Sequence, residues 1–212
     1  MSDLQYQNLL SKQIKLLNLE LDQQVISQLL AYHALLVKWN RTYNLTAIRD
    51  PLQMISRHLI DSLSILSFID QLGCKTIVDV GSGPGLPGII LAICRPELTV
   101  TSIDSNGKKT RFQTQVKIEL GLANLSIIRG RAEDCSAEPF DAVISRAFAS
   151  IADMLKWTDQ LCAKDGVFLA MKGLISAQEI SQLPEGYALI ASHVLKVPNE
   201  DGARHLMEIR RA

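Results

Sequence analysis

The chain has 212 residues, a hydrophobic content of 47% and equal numbers of basic and acidic residues. This length and apolar content suffice to bury the core of one domain with an extension, which excludes a disordered protein. The balanced charge excludes a protein that binds polyanions with its whole surface. No apolar run approaches the roughly 18 residues of a membrane span, and no basic and then apolar leader opens the chain. We therefore expect a cytoplasmic protein without a membrane partner.

Residues 1–72 are predicted to form a helical extension. Apolar side chains recur at helical spacing over 4–19 and over 22–39, and Asp22 is placed to cap the second of these helices. A third helix is predicted over 52–68, following Pro51.

Residues 73–212 are predicted to form an α/β domain. Strands are predicted over 76–80, 98–103, 125–129, 142–145 and 167–171, and helices over 88–94, 107–120 and 151–162. This alternation is typical of a mostly parallel sheet that is covered on both faces. After a short helix over 176–183, strand-like runs over 187–197 and 205–210 follow each other without a helix. They predict a C-terminal antiparallel hairpin, which methyltransferase sheets usually have and dinucleotide-binding sheets usually lack.

A glycine-rich turn over 81–88 joins the first predicted strand to the next helix. Such a turn places backbone N–H groups and the positive end of a helix at the edge of the sheet, where cofactors that contain adenosine bind. Asp104 ends the second strand, where a carboxylate accepts hydrogen bonds from ribose hydroxyls. We therefore include Gly83 and Asp104 among the candidate cofactor-binding residues.

The glycine spacing alone leaves two kinds of cofactor open. Three glycines at steps of two and three, beginning at Gly83, match the fingerprint of nicotinamide dinucleotides, so an oxidoreductase is one alternative. Pro84 and Pro87, however, remove two of the N–H donors that a pyrophosphate requires. Asp79 would repel a pyrophosphate and attract a cationic ligand. The pattern therefore favours S-adenosylmethionine, which carries an amine and a sulfonium.

No bound metal is expected. The four cysteines lack the two-residue spacing of zinc or redox pairs, and the four histidines have no histidine partner one helical turn away.

The ends of the third and fourth strands are expected to hold the adenine and to face the methyl group, respectively. Arg131, Ala132 and Glu133 follow the third strand, where a backbone amide and a carboxylate suit an adenine ring. Capping of a helix is the alternative role for Glu133. Arg146 follows the fourth strand, and a structural ion pair with Asp79 or with Asp141 is its alternative role.

The fourth strand end indicates the kind of methyl acceptor. It has neither the Asp or Asn followed by two prolines that is common in amine methylation nor the cysteine nucleophile of carbon methylation. A ring nitrogen such as guanine N7 attacks through its own lone pair and has no proton to lose, so it requires no general base. Arg146 is placed to donate to guanine O6 or to a phosphate, which leaves N7 free. Arg146 and Arg131 are therefore candidate catalytic residues, which would act by alignment and electrostatics.

Several segments together resemble the ribosomal RNA small subunit methyltransferase G family, also called glucose-inhibited division protein B. The resembling positions are Trp39, Asn40, Asn44, Leu45, Thr46, Arg57, His58, Asp61, Ser62, residues 79–88, Ser145, Arg146, Ala147, Lys172, Gly173, Arg204, His205 and Leu206. The resemblance implies a class I, Rossmann-like methyltransferase that uses S-adenosylmethionine and releases S-adenosylhomocysteine. It implies transfer to N7 of one guanine in 16S ribosomal RNA, in the decoding-region stem-loop. The family's cofactor positions fall on Gly81, Leu86, Ala132, Glu133 and Arg146.

An RNA partner is expected from the resemblance and from one local basic stretch. Over 105–131 the charged residues are Lys108, Lys109, Arg111, Lys117, Arg129 and Arg131 against Glu119 alone. An ordinary solvated helix surface is the alternative interpretation of this stretch. The candidate RNA-binding residues are Arg57, His58, Lys108, Lys109, Arg111, Arg129, Lys172 and Arg204. We expect a monomer that acts on 16S ribosomal RNA, the small subunit or an assembly intermediate; a ribosome assembly factor without turnover is the non-enzymatic alternative.

Overall fold

The computed structural model describes residues 3–174, 177–198, 200 and 202–212. Its α-helices are α1 (Asp3–Leu16), α2 (Gln23–Tyr43), α3 (Pro51–Met54), α4 (Asp61–Leu63), α5 (Leu66–Leu72), α6 (Gly88–Cys94), α7 (Gly107–Leu120), α8 (Ile151–Thr158) and α9 (Ala177–Ser181). Its strands are β1 (Thr76–Val80), β2 (Thr99–Asp104), β3 (Leu125–Arg129), β4 (Phe140–Ser145), β5 (Cys162–Lys172), β6 (Tyr187–Val194) and β7 (His205–Arg211). None of the helices in these ranges combines the length and the apolar character of a membrane span.

The strands form a seven-stranded sheet in the order β3-β2-β1-β4-β5-β7-β6. Strands β1 to β5 are parallel, whereas β7 is antiparallel to β5 and β6 is antiparallel to β7. The predicted parallel sheet with a closing antiparallel hairpin is therefore confirmed. The strand order reverses between β1 and β4, and the carboxyl ends of strands at such a point form the usual ligand-binding crevice of an open α/β sheet.

The sequence predicted the bounds of β1, β3, α6 and α7 correctly but misplaced the start of β5. The predicted helix over 151–162 is α-helical to Thr158 and continues as a 3₁₀ turn over Asp159–Leu161, and β5 begins at Cys162 rather than at 167. Near the start of β5, Lys164 and Asp165 are polar and exposed, and a register irregularity interrupts the pairing of this part with β4. Hydrophobic patterning marked only the buried part of this strand, because a partly exposed strand end has no apolar run to mark it.

The third predicted helix is a series of short segments rather than one continuous helix. Its middle part, Ile55–Ile60, is π-helical and connects α3 to α4. The N–H of Asp61 donates to the carbonyls of Ser56 and His58 at the end of this turn. Wide turns of this kind are rare in proteins, and those that occur are often found at functional sites. The predicted helix over 176–183 corresponds to α9, and residue 176 lies outside the described part of the chain.

The amino-terminal helices pack against the sheet and share its hydrophobic core. One cluster of buried side chains includes Leu10 of α1, Tyr32 of α2, Leu59 of the π-helical turn, and Ile90 of α6. Full burial of a side chain of this size contributes about 1.5–3 kcal/mol. Asp22 caps α2 as predicted, since its carboxylate accepts from the N–H of Val25 at 2.8 Å. The division into 1–72 and 73–212 stays a prediction.

Candidate active site

The glycine-rich turn after β1 is held by side chains of neighbouring elements. The N–H of Gly83 donates to Oδ2 of Asp104, at the end of β2, at 2.8 Å. Nε2 of Gln113, on α7, donates to Oγ of Ser82 and to the carbonyl of Gly83, both at 2.8 Å. Because these bonds fix the path of the backbone, the turn is preorganised for a ligand.

Asp104 retains capacity to accept a hydrogen bond from a ribose. Its Oδ1 accepts from the N–H of Asn106 at 2.8 Å, and Lys109 Nζ lies 3.8 Å from its Oδ2. Each carboxylate oxygen accepts two hydrogen bonds, so Oδ1 has a lone pair left. The side chain of Leu86, by contrast, is buried in the core, so any ligand contact at this position is through the backbone.

Tyr32 links the amino-terminal helices to this turn, a role that helical periodicity alone does not indicate. Its side chain is fully buried, and its hydroxyl donates to the carbonyl of Pro84 at 3.0 Å. Helix α2 therefore supports the glycine-rich turn directly.

We expect Tyr32→Phe to weaken binding of S-adenosylhomocysteine several-fold and to lower the free energy of unfolding by about 1–3 kcal/mol, because the Pro84 carbonyl loses its donor in a buried site. Calorimetric titration and urea unfolding measure the two effects. Tyr187→Phe is the matched control, since the Tyr187 hydroxyl bonds to Asp159, away from the turn. Equal ligand affinity in both variants would contradict this role of Tyr32.

Asp79 lies buried beneath the same turn. Its Oδ2 accepts from the N–H of Gly88 at 2.8 Å, and its Oδ1 has no hydrogen-bond partner among the described residues. Burial raises the pKa of this carboxyl to about 7, although the Gly88 N–H and the Arg146 charge act in the opposite direction. An unpartnered buried acceptor at this place fits a ligand that carries an amine better than one that carries a pyrophosphate.

The raised pKa of Asp79 predicts a pH dependence of stability. The folded state binds this proton more tightly than the unfolded state, so stability falls as the pH rises from about 4 to about 7, by at most about 1.4 kcal/mol per pH unit. Asp79→Asn removes the titrating group, so the variant should gain stability relative to the parent as the pH rises. Urea unfolding at a series of pH values tests this, and parallel pH curves for the two proteins would contradict it.

The two candidate catalytic arginines lie at opposite sides of the crevice. Arg131 follows β3 and Arg146 follows β4, with β2 and β1 between them, so the strand ends are about 14 Å apart. The side chain of Arg131 is 72% exposed and pairs with Glu133 at 3.3 Å. In the same segment the carbonyl of Ala132 accepts from Gln160 at 2.8 Å.

Arg146 is anchored by the π-helical turn of the amino-terminal extension. Its Nη1 donates to Oδ2 of Asp61 at 2.8 Å and to the carbonyl of Arg57 at 3.4 Å. The alternative predicted from sequence was an ion pair with Asp79 or Asp141. The ion pair exists, but its partner is Asp61.

A cavity of about 340 Å³ opens beside Arg146. The nitrogen-bearing side chains that line it are Arg57, His58, Arg146, Lys172, Arg204 and His205, and Asp61 is the one carboxylate among its described lining residues. We refer to this cavity as the cationic pocket. It brings together four of the residues predicted to bind RNA, which come from three distant parts of the sequence.

His58 is a neutral member of the cationic pocket. Burial, reinforced by the charge of Arg146, lowers its pKa to about 4. Its Nδ1 lies 3.1 Å from the carbonyl of Arg57, which can only accept, so Nδ1 carries the proton. Its Nε2 then accepts from the hydroxyl of Thr46 at 2.8 Å. His58 therefore supports the turn that carries Arg57 and contributes no positive charge.

Lys172 and Arg57 of the cationic pocket have acidic partners. Lys172 Nζ lies 2.8 Å from Glu179 and donates to the carbonyl of Ala149 at 2.7 Å, which fixes the loop after β4. Arg57 pairs with Glu200 at 2.9 Å while its side chain stays about half exposed.

The other predicted RNA-binding residues lie on a separate basic surface. Lys108 and Arg111 of α7 and Arg129 at the end of β3 are exposed, and Lys109 is half-buried near Asp104. Because β2 and β3 lie on one side of β1 and β4 lies on the other, this surface and the cationic pocket flank the glycine-rich turn. Within the described ranges, no three His, Cys, Asp or Glu side chains cluster as a metal site requires.

Comparison with known proteins identifies close relatives. The chain is 52% identical over 197 residues to the ribosomal RNA small subunit methyltransferase G of Ectopseudomonas mendocina (strain ymp), covering 92% of each protein. It is 55% identical over 185 residues to the protein of the same name from Pseudomonas syringae pv. syringae (strain B728a), covering 87% of this chain and 85% of the relative.

Solved structures of methyltransferases share the fold at low sequence identity. TrmN from Thermus thermophilus superposes with a TM-score of 0.57 at 15% identity, over 74% of this chain and 53% of that one. A methyltransferase from Thiobacillus denitrificans, solved with S-adenosyl-L-homocysteine, gives a TM-score of 0.52 at 14% identity, over 71% and 91%. The fold is therefore that of the class I methyltransferases that depend on S-adenosylmethionine. A family model described as "rRNA small subunit methyltransferase G" matches residues 25–207, and the chain belongs to this family.

Proposed function

We propose that the protein transfers a methyl group from S-adenosylmethionine to N7 of one guanine in 16S ribosomal RNA. The observation that carries the proposal is the cationic pocket beside Arg146, at the carboxyl end of β4. Its described lining residues include donors for a nucleotide but no cysteine nucleophile, and burial lowers the pKa of the lining His58 to about 4, so this histidine is neutral. Family membership and the names of the relatives support a ribosomal RNA substrate.

The residues at the strand ends fit the proposed cofactor. Asp104 would accept from the ribose, Ala132 and Glu133 would bind the adenine, and the backbone of Gly81 and Gly83 would line the remaining part. When bound, S-adenosylmethionine supplies an electrophilic methyl group. These residues hold and orient the cofactor, and none of them has to take up or release a proton.

Arg146 is assigned to the methyl acceptor. Its guanidinium is held on one side by Asp61 and the Arg57 carbonyl, and its other donors face the cationic pocket. A donor directed at guanine O6 fixes the base and leaves the N7 lone pair free to attack. Alignment of this kind, together with electrostatic preorganisation, is the contribution that a reaction without a general base requires from the protein.

The decisive test is a nucleoside digest of 16S ribosomal RNA. RNA from a strain that lacks the protein should lose 7-methylguanosine at one position, and the purified protein with S-adenosylmethionine should restore it to RNA or particles from that strain. Undiminished 7-methylguanosine would favour an assembly factor without turnover. Titration with S-adenosylhomocysteine and with NADH separates the methyltransferase from the oxidoreductase alternative, since only the former should bind tightly.

The basic surface on α7 and β3 supports a role in holding RNA phosphates. We expect joint replacement of Lys108, Arg111 and Arg129 by glutamine to weaken RNA binding at low salt and to reduce its salt dependence, because each phosphate contact releases counterions. Replacement of the exposed Lys12, Lys15 and Lys38 is the matched control. If RNA binding by both triple variants depends on salt equally, the basic surface is an ordinary solvated surface.

A further inference from the structure

The carboxylate of Asp61 joins two arginines that come from different strands. Its Oδ2 accepts from Arg146, which follows β4. Its Oδ1 accepts no hydrogen bond from the described residues but forms an ion pair with Nε of Arg204, which precedes β7, at 3.4 Å. The side chain of Asp61 is only 6% exposed, whereas those of Arg146 and Arg204 are 25% and 35% exposed. The carboxylate therefore lies behind the two guanidinium groups, which face the cationic pocket.

The charges of this trio do not cancel. Arg57 and Lys172 each pair with a glutamate of their own, but Arg146 and Arg204 share one carboxylate. The trio of Asp61, Arg146 and Arg204 consequently keeps one positive charge. A guanidinium has five N–H donors, so donors remain on both arginines for the oxygens of a nucleotide.

The π-helical turn fixes the position of this carboxylate from the backbone side. The N–H of Asp61 donates to the carbonyls of Ser56 and His58, and its own carbonyl accepts from the Ser64 hydroxyl at 2.7 Å. The same turn supplies the Arg57 carbonyl as a second acceptor for Arg146. Two acceptors from one rigid turn hold the guanidinium in one orientation, which a single acceptor would not do.

We infer that Asp61 is a positioning residue for methyl transfer, which orients Arg146 and Arg204 toward the methyl acceptor without touching it. This inference rests on the proposed function. It assigns a role to the amino-terminal extension in the reaction itself, because the π-helical turn and Asp61 belong to that extension. The role requires the charge of the carboxylate as well as its shape.

The variant Asp61→Asn keeps the size of the side chain and one oxygen acceptor but removes the charge. We expect its single-turnover rate of methyl transfer, at saturating cofactor and RNA, to fall about 100-fold, as misplacement of an aligned group does. Affinity for S-adenosylhomocysteine should stay within about two-fold, and RNA should bind at least as tightly because one negative charge is lost. A purely structural role would instead lower binding and rate together with the folded fraction.

Asp70→Asn is the matched control, since Asp70 forms an ion pair with Arg95 at 2.6 Å. Asp70 precedes β1 and Arg95 precedes β2, so this pair lies at the ends of the strands opposite to the cationic pocket. It should leave the methyl-transfer rate unchanged. A wild-type rate in Asp61→Asn, or a loss that merely follows its folded fraction, would overturn the inference.

A measurement on the parent protein separates this inference from the proposed function. Nitrogen-15 NMR of the arginine side chains should show slow rotation of the Arg146 guanidinium in the parent protein and fast rotation in Asp61→Asn. Fast rotation in the parent protein would overturn the positioning role even if methylation is confirmed. Slow rotation in a protein that makes no 7-methylguanosine would instead overturn the proposed function and leave Arg146 positioned for another acceptor.

Discussion

Arg146→Lys is expected to reduce the methyl-transfer rate at saturating substrates by about 10²–10³-fold, the range seen when one preorganised donor is removed. A lysine ammonium is a single charge on a flexible stem. It cannot hold the fixed geometry by which the guanidinium contacts Asp61 and the Arg57 carbonyl and still presents donors to the cationic pocket. Single-turnover methylation of RNA from a strain that lacks the protein measures the loss.

The same assay decides between the two arginines that the sequence left as equal candidates. Arg131→Lys should have a much smaller effect, because Arg131 is largely exposed and follows β3, whose end is about 14 Å from that of β4. Arg95→Lys, in an ion pair at the other edge of the sheet, is the inert control. A larger loss in Arg131→Lys than in Arg146→Lys would move the methyl-acceptor site to the end of β3.

The sequence predicted most of the sheet because its strands are buried. Apolar runs predicted β1 and β3 with correct bounds. The hairpin was predicted because no helical pattern separates the last two strand-like runs. The glycine-rich turn was predicted because its backbone conformation restricts the residue type: the positive φ angles at Gly81, Gly83 and Gly85 require glycine. Each of these features depends on residues that are close together in the sequence, so a sequence pattern can predict it.

The contacts that complete the candidate site are not local. Asp61 and Arg146 are 85 residues apart, and Tyr32 and Pro84 are 52 apart. The predicted helix over 52–68 contains Arg57, His58 and Asp61, but the π-helical turn that directs Asp61 toward Arg146 has no residue pattern of its own. The sequence therefore indicated the chemistry at each strand end, whereas the pairing of the amino-terminal extension with β4 required the fold.

Gly81→Ala should inactivate the protein through the loop that carries Arg146. Gly81 has a φ of +68°, and a Cβ on it would lie 2.7 Å from Cβ of Ala147, the residue after Arg146. Ser145 fixes this strand end, since its hydroxyl donates to the Val80 carbonyl at 2.7 Å. The backbone must therefore shift where the two strand ends meet. We expect methyl transfer to fall at least 100-fold, because the shift displaces an aligned group, and the free energy of unfolding to fall by about 1–3 kcal/mol.

Gly121→Ala separates the collision from backbone strain alone. Gly121 ends α7 with a φ of +65°, and a Cβ there meets nothing within 4 Å. Both variants bear the strain of a left-handed alanine, about 1–2 kcal/mol, but only Gly81→Ala forces the β4 loop to move. Urea unfolding should therefore show losses in both, whereas the methyl-transfer rate should fall in Gly81→Ala alone. Equal methylation by the two variants would mean that the end of β4 tolerates displacement, and Arg146 would then lose its place as the group that aligns the methyl acceptor.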